Sequence, residues 1–294
     1  MNHEELRFSV VVPCYNEAKF ISRTLESLQK QQYSGSYEII VVDNNCTDET
    51  VAIAKSYGVR VVTESNPGVC WARQAGTEAA RGEIVISTDA DTVQPEHWLQ
   101  NIDDSFKRHT HCVAVTGPCI YSDGPWWGRQ YPKILFGMVS IVSRVIGRPF
   151  YVTATNIAFK KSAWSQYHTV LTQGGDELAL LHDLRKKGTV VFNNANPVYT
   201  SGRRLTKGLL HNIFITFFMY YFVAYNVNRL SGRTVIGTAP AYRTVDSPDA
   251  QLTFVYKFIF ISAIVVLILI AHLPGHDSVM QQSYETITAV KHKL

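Results

Sequence analysis

Short runs of β-branched residues alternate with polar, helix-like segments from Phe8 to about Tyr199. The runs read FSVVVPCYN, YEIIVVDNN, VRVVTESN, GEIVISTDAD, CVAVTGPC and TVVFNNANPVY. The segments EAKFISRTLESLQKQQ and CTDETVAIAKSYG, which separate the first three runs, predict helices. In the second helix, Thr47 and Asp48 are typical of an N-terminal cap and Gly58 of a C-terminal stop. This alternation predicts an α/β domain with a mostly parallel central sheet covered on both faces.

The composition becomes more apolar in the last third of the chain. Residues 208–228 contain no Lys, Arg, Asp or Glu, and residues 254–273 contain a single lysine. A bilayer-spanning helix needs about 20 apolar residues. We therefore predict a transmembrane helix at 254–273 and an interfacial or spanning helix at 208–228. The segment between them is basic, and this favours one membrane-spanning helix over two. The predicted boundary separates a catalytic domain at 1–205 from a membrane-associated region at 206–294.

A third apolar segment, ILFGMVSIVSRVIG, occupies residues 134–147. It is too short to span a bilayer. We predict a core helix here, and the alternative is a helix that lies against the membrane near the site.

Composition and charge narrow the classes of function. The chain is 46% hydrophobic and 18% charged, and a charged share below the usual ~25% indicates that some surface faces lipid. The net charge of +4 comes without a basic run, which argues against a nucleic-acid partner. Five cysteines without C-x-x-C spacing indicate reduced thiols. Because MNHEELRF does not resemble a secretory signal, we expect a cell-membrane protein with its catalytic domain on the cytoplasmic side.

Acidic residues follow two of the predicted strands. Asp43 ends the second run, and Asp89 and Asp91 end the fourth. Ligands of parallel sheets bind beyond the carboxyl ends of the strands, where an acidic side chain can accept hydrogen bonds from a base or ribose. Mg²⁺ or Mn²⁺ takes one or two protein carboxylates and completes its shell with phosphate and water. Asp89 and Asp91 therefore suit a metal held mainly through a diphosphate, although each of the three aspartates also fits a turn.

Several common catalytic motifs are missing from the sequence. It contains neither G-x-G-x-x-G nor G-x-x-x-x-G-K-[ST], and neither G-x-S-x-G nor H-E-x-x-H. Dinucleotide oxidoreductases, P-loop NTPases, α/β-hydrolases and zinc proteases are therefore disfavoured.

Four segments carry a resemblance to a known family. They are VVVPCYNEAKFI, EIIVVDNNCTDET, ESNPGVCWARQAGTEAARGEIVISTDADT and TATNIAFKKSAW. In order and spacing the chain resembles a membrane-anchored family 2 glycosyltransferase with a GT-A fold, over roughly Phe8 to Arg204. The resemblance implies an inverting, metal-dependent hexosyltransferase (EC 2.4). Its donor would be a nucleotide sugar, with UDP- and GDP-sugars favoured, and its acceptor a glycan or a lipid at the membrane.

The resemblance also implies roles for individual residues. The nucleotide-sugar site would be lined by Pro13, Asn16, Glu17, Asp43, Arg73, Asp89 and Asn156. Asp43 would contact the base, and Asp91, together with Asp89, would hold Mg²⁺ or Mn²⁺. Taken without the motif, Arg73 also fits a helix surface and Asn156 a turn.

A general base is expected at the segment QGGDELALLHDLRKKG. Inverting transfer needs a carboxylate that takes the proton of the acceptor hydroxyl. Members of the family usually carry Glu-Asp here, whereas this chain has Asp176-Glu177. Residue type favours Asp176, the count back from Gly188 favours Glu177, and Asp176 alone also fits a helix cap.

Two arginines precede the apolar C-terminal region. The forked donors of Arg203 and Arg204 match phosphate oxygens and would stabilise the leaving diphosphate. They equally suit a basic anchor next to a membrane.

Two further functions compete with glycosyl transfer. One is a membrane-anchored subunit that binds sugar nucleotides without turnover, which the reversed acids favour. The other is a sugar-nucleotide pyrophosphorylase, disfavoured because PCYNEAKF contains no glycine-rich basic loop.

Overall fold

A computed structural model describes residues 6–169, 176–203, 205, 208–212, 218, 219, 223 and 227. These residues all belong to the first of the two units, Met1–Ala239 and Pro240–Leu294, into which the chain divides. Arg204, the predicted helix at 254–273 and most of that at 208–228 lie outside the described residues. In the described part of the chain, no helix is both long and apolar enough to cross a membrane.

A seven-stranded sheet forms the centre of the domain. Its strands, in chain order, are β1 (Phe8–Cys14), β2 (Tyr37–Asp43), β3 (Arg60–Thr63), β4 (Ile84–Ser87), β6 (Cys112–Thr116), β8 (Ile157–Lys160) and β9 (Thr189–Phe192). They lie in the order β3-β2-β1-β4-β8-β6-β9. Every strand except β8 runs in the same direction, because β8 pairs antiparallel with both β4 and β6. The predicted mostly parallel sheet is confirmed.

Helices cover both faces of this sheet. The helices of the described residues are α1 (Ile21–Gln29), α2 (Thr50–Ser56), α3 (Val69–Ala79), α4 (Trp98–Arg108), α5 (Trp126–Ile146), α6 (Asp176–Lys187) and the single turn α7 (Leu209–His211), with a 3₁₀ turn at Lys161–Ala163. Val10 and Val12 of β1 pack in one core cluster with residues of α1 and α4. Val11 between them packs in a second cluster with residues of α3 and α6. A strand buried on both faces has no polar alternation, which explains the continuous apolar runs.

The predicted C-terminal stop of α2 is confirmed, whereas the predicted N-terminal cap is not, because the capping position is Glu49 and its side chain makes no capping bond. Asp48 accepts hydrogen bonds from the backbone N–H of Thr50 and of Ala18, at 3.0 and 3.1 Å. Gly58, just after the helix, has a φ of 68°, a left-handed conformation that glycine adopts without strain.

A small second sheet lies beside the central one. It consists of β5 (Thr92–Val93), β7 (Cys119–Tyr121) and β10 (Val198–Thr200), in the order β5-β10-β7. Strand β10 pairs antiparallel with β5, which places Thr200 opposite Thr92. This pairing brings the chain after β10 alongside the segment that carries Asp89 and Asp91.

The segment Ile157–Lys160 was not among the predicted strands. It forms β8 and pairs with β4 from Ile84 to Ser87. The physical reason is its position, since Ile157, Ala158 and Phe159 are buried at the centre of the sheet.

The core helix predicted at 134–147 is also wrong in part. The segment belongs to α5, where Phe136 and Val139 are buried but Ile134 and Ile141 are exposed. Helix α5 therefore packs on the domain with one side and presents an apolar opposite side.

Asp103 of α4 anchors the N-terminal end of the sheet. Its carboxylate accepts a hydrogen bond from Nε of Arg7 at 2.9 Å and pairs with Nζ of Lys107 at 2.7 Å. Burial alone would raise the pKa of Asp103, but the bonds from Lys107 and Arg7 outweigh it and hold the pKa below its usual value. The ionised form is thus favoured in the folded state.

Asp103→Asn is expected to lower the free energy of unfolding by about 1–3 kcal/mol at neutral pH, since it removes a charged acceptor from two donors. Because the folded pKa is depressed, this stabilisation is present above the unfolded pKa of about 3.9 and is lost as pH falls through the folded value. Urea denaturation at pH 7 and near pH 3 measures both effects. Asp104→Asn is the matched control, with a change within about 0.5 kcal/mol. Equal effects of the two variants would contradict this account.

Candidate functional site

The loop after β1 is tied to the loop after β2. Asn16 adopts a φ of 55°, and its side-chain oxygen accepts hydrogen bonds from the backbone N–H of Thr47 at 2.7 Å and of Asp48 at 3.3 Å. Asn tolerates this left-handed conformation better than most residues. Pro13, at the end of β1, lies opposite Val42 of β2. Pro13 and Asn16, two of the residues predicted to line the nucleotide, therefore lie at the carboxyl edge of β1 and β2.

Asp43 is the last residue of β2 and is half-buried. Its carboxylate accepts a hydrogen bond from the backbone N–H of Cys46 at 2.9 Å. The turn interpretation of Asp43 is therefore correct, and its contact with a base stays a prediction.

Asp89 is held from two sides. One carboxylate oxygen pairs with Nη2 of Arg73 at 3.0 Å, and the other accepts a hydrogen bond from the hydroxyl of Thr155 at 2.7 Å. Arg73 is buried, so its interpretation as a surface arginine is wrong. These two contacts fix the orientation of the Asp89 carboxylate at the end of β4.

Asp91 is held by the strand that pairs beside it. One carboxylate oxygen accepts a hydrogen bond from the hydroxyl of Thr200 at 3.1 Å, and the other lies 2.9 Å from Nη2 of Arg203. The carbonyl of Asp91 accepts a further bond from the backbone N–H of Ser201. The pairing of β10 with β5 thus positions the side chain of Asp91.

Arg203 joins Asp91 to the loop after β1. Its two terminal nitrogens each lie 2.8 Å from a carboxylate oxygen of Glu17, which is buried. Its guanidinium carbon also lies 4.7 Å from the centroid of the Phe20 ring. A bidentate arginine–carboxylate pair is among the stronger polar contacts in proteins. We call Glu17, Arg203 and Asp91 the arginine bridge.

Asn156 lies inside the fold. Its side-chain oxygen accepts a bond from Nε1 of Trp98 at 3.0 Å, and its side-chain nitrogen donates to the carbonyls of Pro118 and Asn196, both at 2.9 Å. Its amide is thus used within the protein, while its neighbour Thr155 reaches Asp89. The sugar contact predicted for Asn156 stays untested.

The two candidate bases lie at the start of α6. Asp176 is the first residue of the helix, and Glu177 follows with a half-buried side chain. Which of the two is the base stays a prediction.

Thr155, Thr200 and Ser201 were not predicted as site residues. Each is close in sequence to a predicted residue, Asn156 or Arg203, and each carries a hydroxyl that can donate to a carboxylate. Adjacency to the motifs was the available signal, but hydroxyl residues are too common for it to single them out.

We call Asp89 and Asp91, which follow β4, the acidic edge. Their carboxylates suit a divalent cation that also binds to a ligand. Within the described ranges, no group of three or more His, Cys, Asp or Glu residues is arranged to hold a metal ion by itself. The carboxylates of Glu17, Asp89 and Asp91 outnumber the guanidinium groups of Arg73 and Arg203 that pair with them. Carboxylate oxygens are ligands that Mg²⁺ and Mn²⁺ prefer when phosphate and water complete the shell. Asp91 fits this role, provided that a cation shares or replaces its contact with Arg203.

Fold and site together define an α/β protein with the acidic edge at the carboxyl ends of its central strands. The sequence model of Glycosyl transferase family 2 matches residues 9–167, more than half of the chain. The chain therefore belongs to glycosyl transferase family 2, and the predicted enzyme class, a glycosyltransferase, is confirmed.

One similar curated protein is the glucosyl-dolichyl phosphate glucuronosyltransferase of Haloferax volcanii. The two are 25% identical over 60% of this chain and 61% of that protein. The chain thus spans less than two thirds of the length of this relative.

Two solved structures share the fold. Mannosyltransferase PcManGT from Pyrobaculum calidifontis, in complex with GDP-Man and Mn²⁺, matches 97% of this chain and 80% of its own, with 20% identity and a TM-score of 0.60. S. aureus TarS 1-349, in complex with UDP-GlcNAc, matches 67% of this chain and 58% of its own, with 19% identity and a TM-score of 0.55. The predicted α/β GT-A-type fold is confirmed.

Arg203→Lys is expected to lower the free energy of unfolding by about 1–3 kcal/mol, because lysine cannot form the bidentate pair with buried Glu17. Urea denaturation of the full chain measures this loss. Arg23→Lys is the matched control, since Arg23 is exposed, and its effect should stay within about 0.5 kcal/mol. An unchanged stability of Arg203→Lys would mean that the arginine bridge does not stabilise the folded state.

Proposed function

We propose that this protein transfers a sugar, with inversion, from a nucleotide-sugar donor to an acceptor at the cytoplasmic face of the cell membrane, with Mg²⁺ or Mn²⁺ as cofactor. The observation that carries the proposal is the convergence of Asp89, Asp91 and Arg203 at the carboxyl edge of the sheet. Carboxylates for a cation and a guanidinium for phosphate oxygens are the groups that a nucleoside diphosphate requires.

The donor is proposed to be a UDP- or GDP-sugar. Support comes from the two structural neighbours, which are in complex with UDP-GlcNAc and with GDP-Man. The base and ribose would lie against the ends of β1 and β2, where Pro13 and Asp43 are found, and against the loop after β1 that contains Asn16.

Each residue at the edge has a distinct proposed task. Asp91 would be the direct ligand of the cation, with Asp89 beside it in the orientation set by Arg73 and Thr155. When bound, the metal would neutralise charge on the diphosphate as the sugar leaves. Arg203, already next to Asp91, would donate to the same phosphate oxygens, with Arg204 as a further donor.

The acceptor hydroxyl would lose its proton to Asp176 or Glu177 at the start of α6. A helix N-terminus stabilises an ionised carboxylate, so this acid would be ready to accept a proton. We propose that the acceptor is a glycan or a lipid-linked molecule. Support comes from the Haloferax volcanii relative, which is named a glucosyl-dolichyl phosphate glucuronosyltransferase, and from the apolar segment at 254–273.

A bound nucleoside diphosphate is expected to stabilise the folded chain, because a ligand that binds the native state alone adds about 2.7 kcal/mol at a hundred times its dissociation constant. The measurement is the thermal stability of the detergent-solubilised full chain with UDP, GDP, dTDP or CDP, each with and without Mn²⁺. We expect UDP or GDP to raise the melting temperature, and Mn²⁺ to increase the effect. Asp91→Asn should lose the part that depends on Mn²⁺.

Asp104→Asn is the control, since Asp104 lies on α4, where its carboxylate accepts a hydrogen bond from Gln100 of the same helix, and should respond like the wild type. No stabilisation by any nucleotide, or an equal Mn²⁺ effect in Asp91→Asn, would contradict the proposal. Release of nucleoside diphosphate from the stabilising donor, in the presence of acceptors, then separates a transferase from a subunit that binds without turnover.

A further inference from the structure

Helix α5 presents a continuous apolar surface. Tyr131, Ile134, Met138, Ile141 and Val145, spaced three or four residues apart, form one line along the helix, and we call them the apolar stripe. Their side chains are between 47% and 81% exposed. Monomeric soluble proteins rarely expose so many large apolar residues side by side, and such a patch marks an interaction site.

The charged side chains of the segment that carries the apolar stripe are all of one sign. Residues 124–175 contain no Asp or Glu. Lys133 and Arg144 each precede a residue of the apolar stripe by one position. Each therefore lies roughly 100° around the helix axis from that residue. Both side chains are exposed. Arg148 follows the helix and is exposed as well. The surface thus combines an apolar line with a basic border.

Charge decides between the possible occupants of this surface. The chain's own apolar segment at 254–273 carries one charge, Lys257, and offers no acid to the basic border. A second copy of the chain would bring the same basic residues against each other. An anionic phospholipid surface supplies both a hydrocarbon layer for the stripe and acidic headgroups for Lys133, Arg144 and Arg148.

We propose that α5 lies in the plane of an anionic phospholipid surface, with the apolar stripe in the acyl boundary and the basic border at the headgroups. The exposed Trp126 at the start of the helix is of the residue type enriched at such interfaces.

The placement of α5 connects this surface to the site. Asp123, three residues before the helix, accepts hydrogen bonds from the hydroxyl of Ser201 at 3.2 Å and from the backbone N–H of Gly202. The next residue is Arg203 of the arginine bridge. A helix docked on lipid would therefore hold the acidic edge near the membrane surface. This inference deepens the membrane location in the proposed function, but it does not depend on sugar transfer.

Photolabelling of the full chain tests the proposal. The chain is reconstituted into vesicles of equal parts phosphatidylcholine and phosphatidylglycerol that contain a phospholipid with a diazirine in its acyl chain. Cleavage after Lys133 and Arg144 isolates the peptide 134–144, whose label reports on α5 independently of any other membrane segment. We expect this peptide to be labelled, and much less so in phosphatidylcholine alone. Each basic residue near an anionic surface contributes about a fivefold preference.

Two double variants test whether the label depends on the apolar stripe. Met138→Asp combined with Ile141→Asp should abolish the label on 134–144, since both side chains belong to the apolar stripe. Ala52→Asp combined with Ser56→Asp adds the same charge to exposed positions of α2 and should leave the label unchanged. Raising the salt from about 0.1 M to about 1 M should weaken the label by screening the basic border.

Two outcomes would overturn the proposal. They are an unlabelled peptide 134–144, which is the result expected if a second copy of the chain covers α5 in place of lipid, and equal labelling in phosphatidylcholine alone. Stabilisation by a nucleoside diphosphate is measured on the same preparation. If α5 is unlabelled while the nucleotide still binds, this inference fails alone, and if α5 is labelled while no nucleotide binds, the proposed function fails alone.

Discussion

The ion pair between Glu17 and Arg203 is the contact on which the rest of the site depends. Glu17 is buried, and a buried carboxylate without a partner would cost several kcal/mol. The guanidinium of Arg203 satisfies both of its oxygens and at the same time reaches Asp91. The loop after β1 and the acidic edge after β4 are thereby held by one side chain. A ligand at this edge meets carboxylates and a guanidinium that the folded protein has already oriented.

The fold supplies this arrangement in two steps. The parallel strands of the central sheet bring Asp43 and Asp89 to the same edge, beyond their carboxyl ends. The second sheet then adds what the first cannot, because β10 pairs with β5 and returns the chain to Asp91. The last residue of β10, Thr200, donates to Asp91, and Arg203 follows three positions later. The pairing of β10 with the two-residue strand β5 therefore decides the geometry of the acidic edge.

Much of this could be predicted from local sequence. Buried parallel strands are continuous apolar runs, and so β1, β2 and β4 were predicted from the pattern alone. The acids Asp89 and Asp91 could be predicted as site residues because an apolar run ends at them. The hydrophobic pattern does not predict which side chains are buried or which distant segments pair with each other. Strand β8 has only four residues, and its antiparallel position depends on β4 and β6.

The arginine bridge shows the same limit within the site. Glu17 and Arg203 were each predicted to bind the nucleotide sugar, but they lie 186 positions apart and no local pattern pairs them. The prediction of a core helix at 134–147 was wrong in part for a related reason. Its apolar residues suggested a core, whereas the domain covers only one of its sides, around Phe136 and Val139. Which side of an apolar helix is covered is decided by its neighbours, which composition does not identify.

The most direct test of this account is a thermodynamic cycle between Glu17→Gln and Asp91→Asn, measured by urea denaturation in the wild-type background and again with Arg203→Met. The two carboxylates share Arg203, so we expect their effects on the free energy of unfolding to differ from additivity by at least about 0.5 kcal/mol. In the Arg203→Met background that coupling should disappear. Additive effects in the wild-type background, or the same coupling without Arg203, would contradict the claim that one arginine holds the site together.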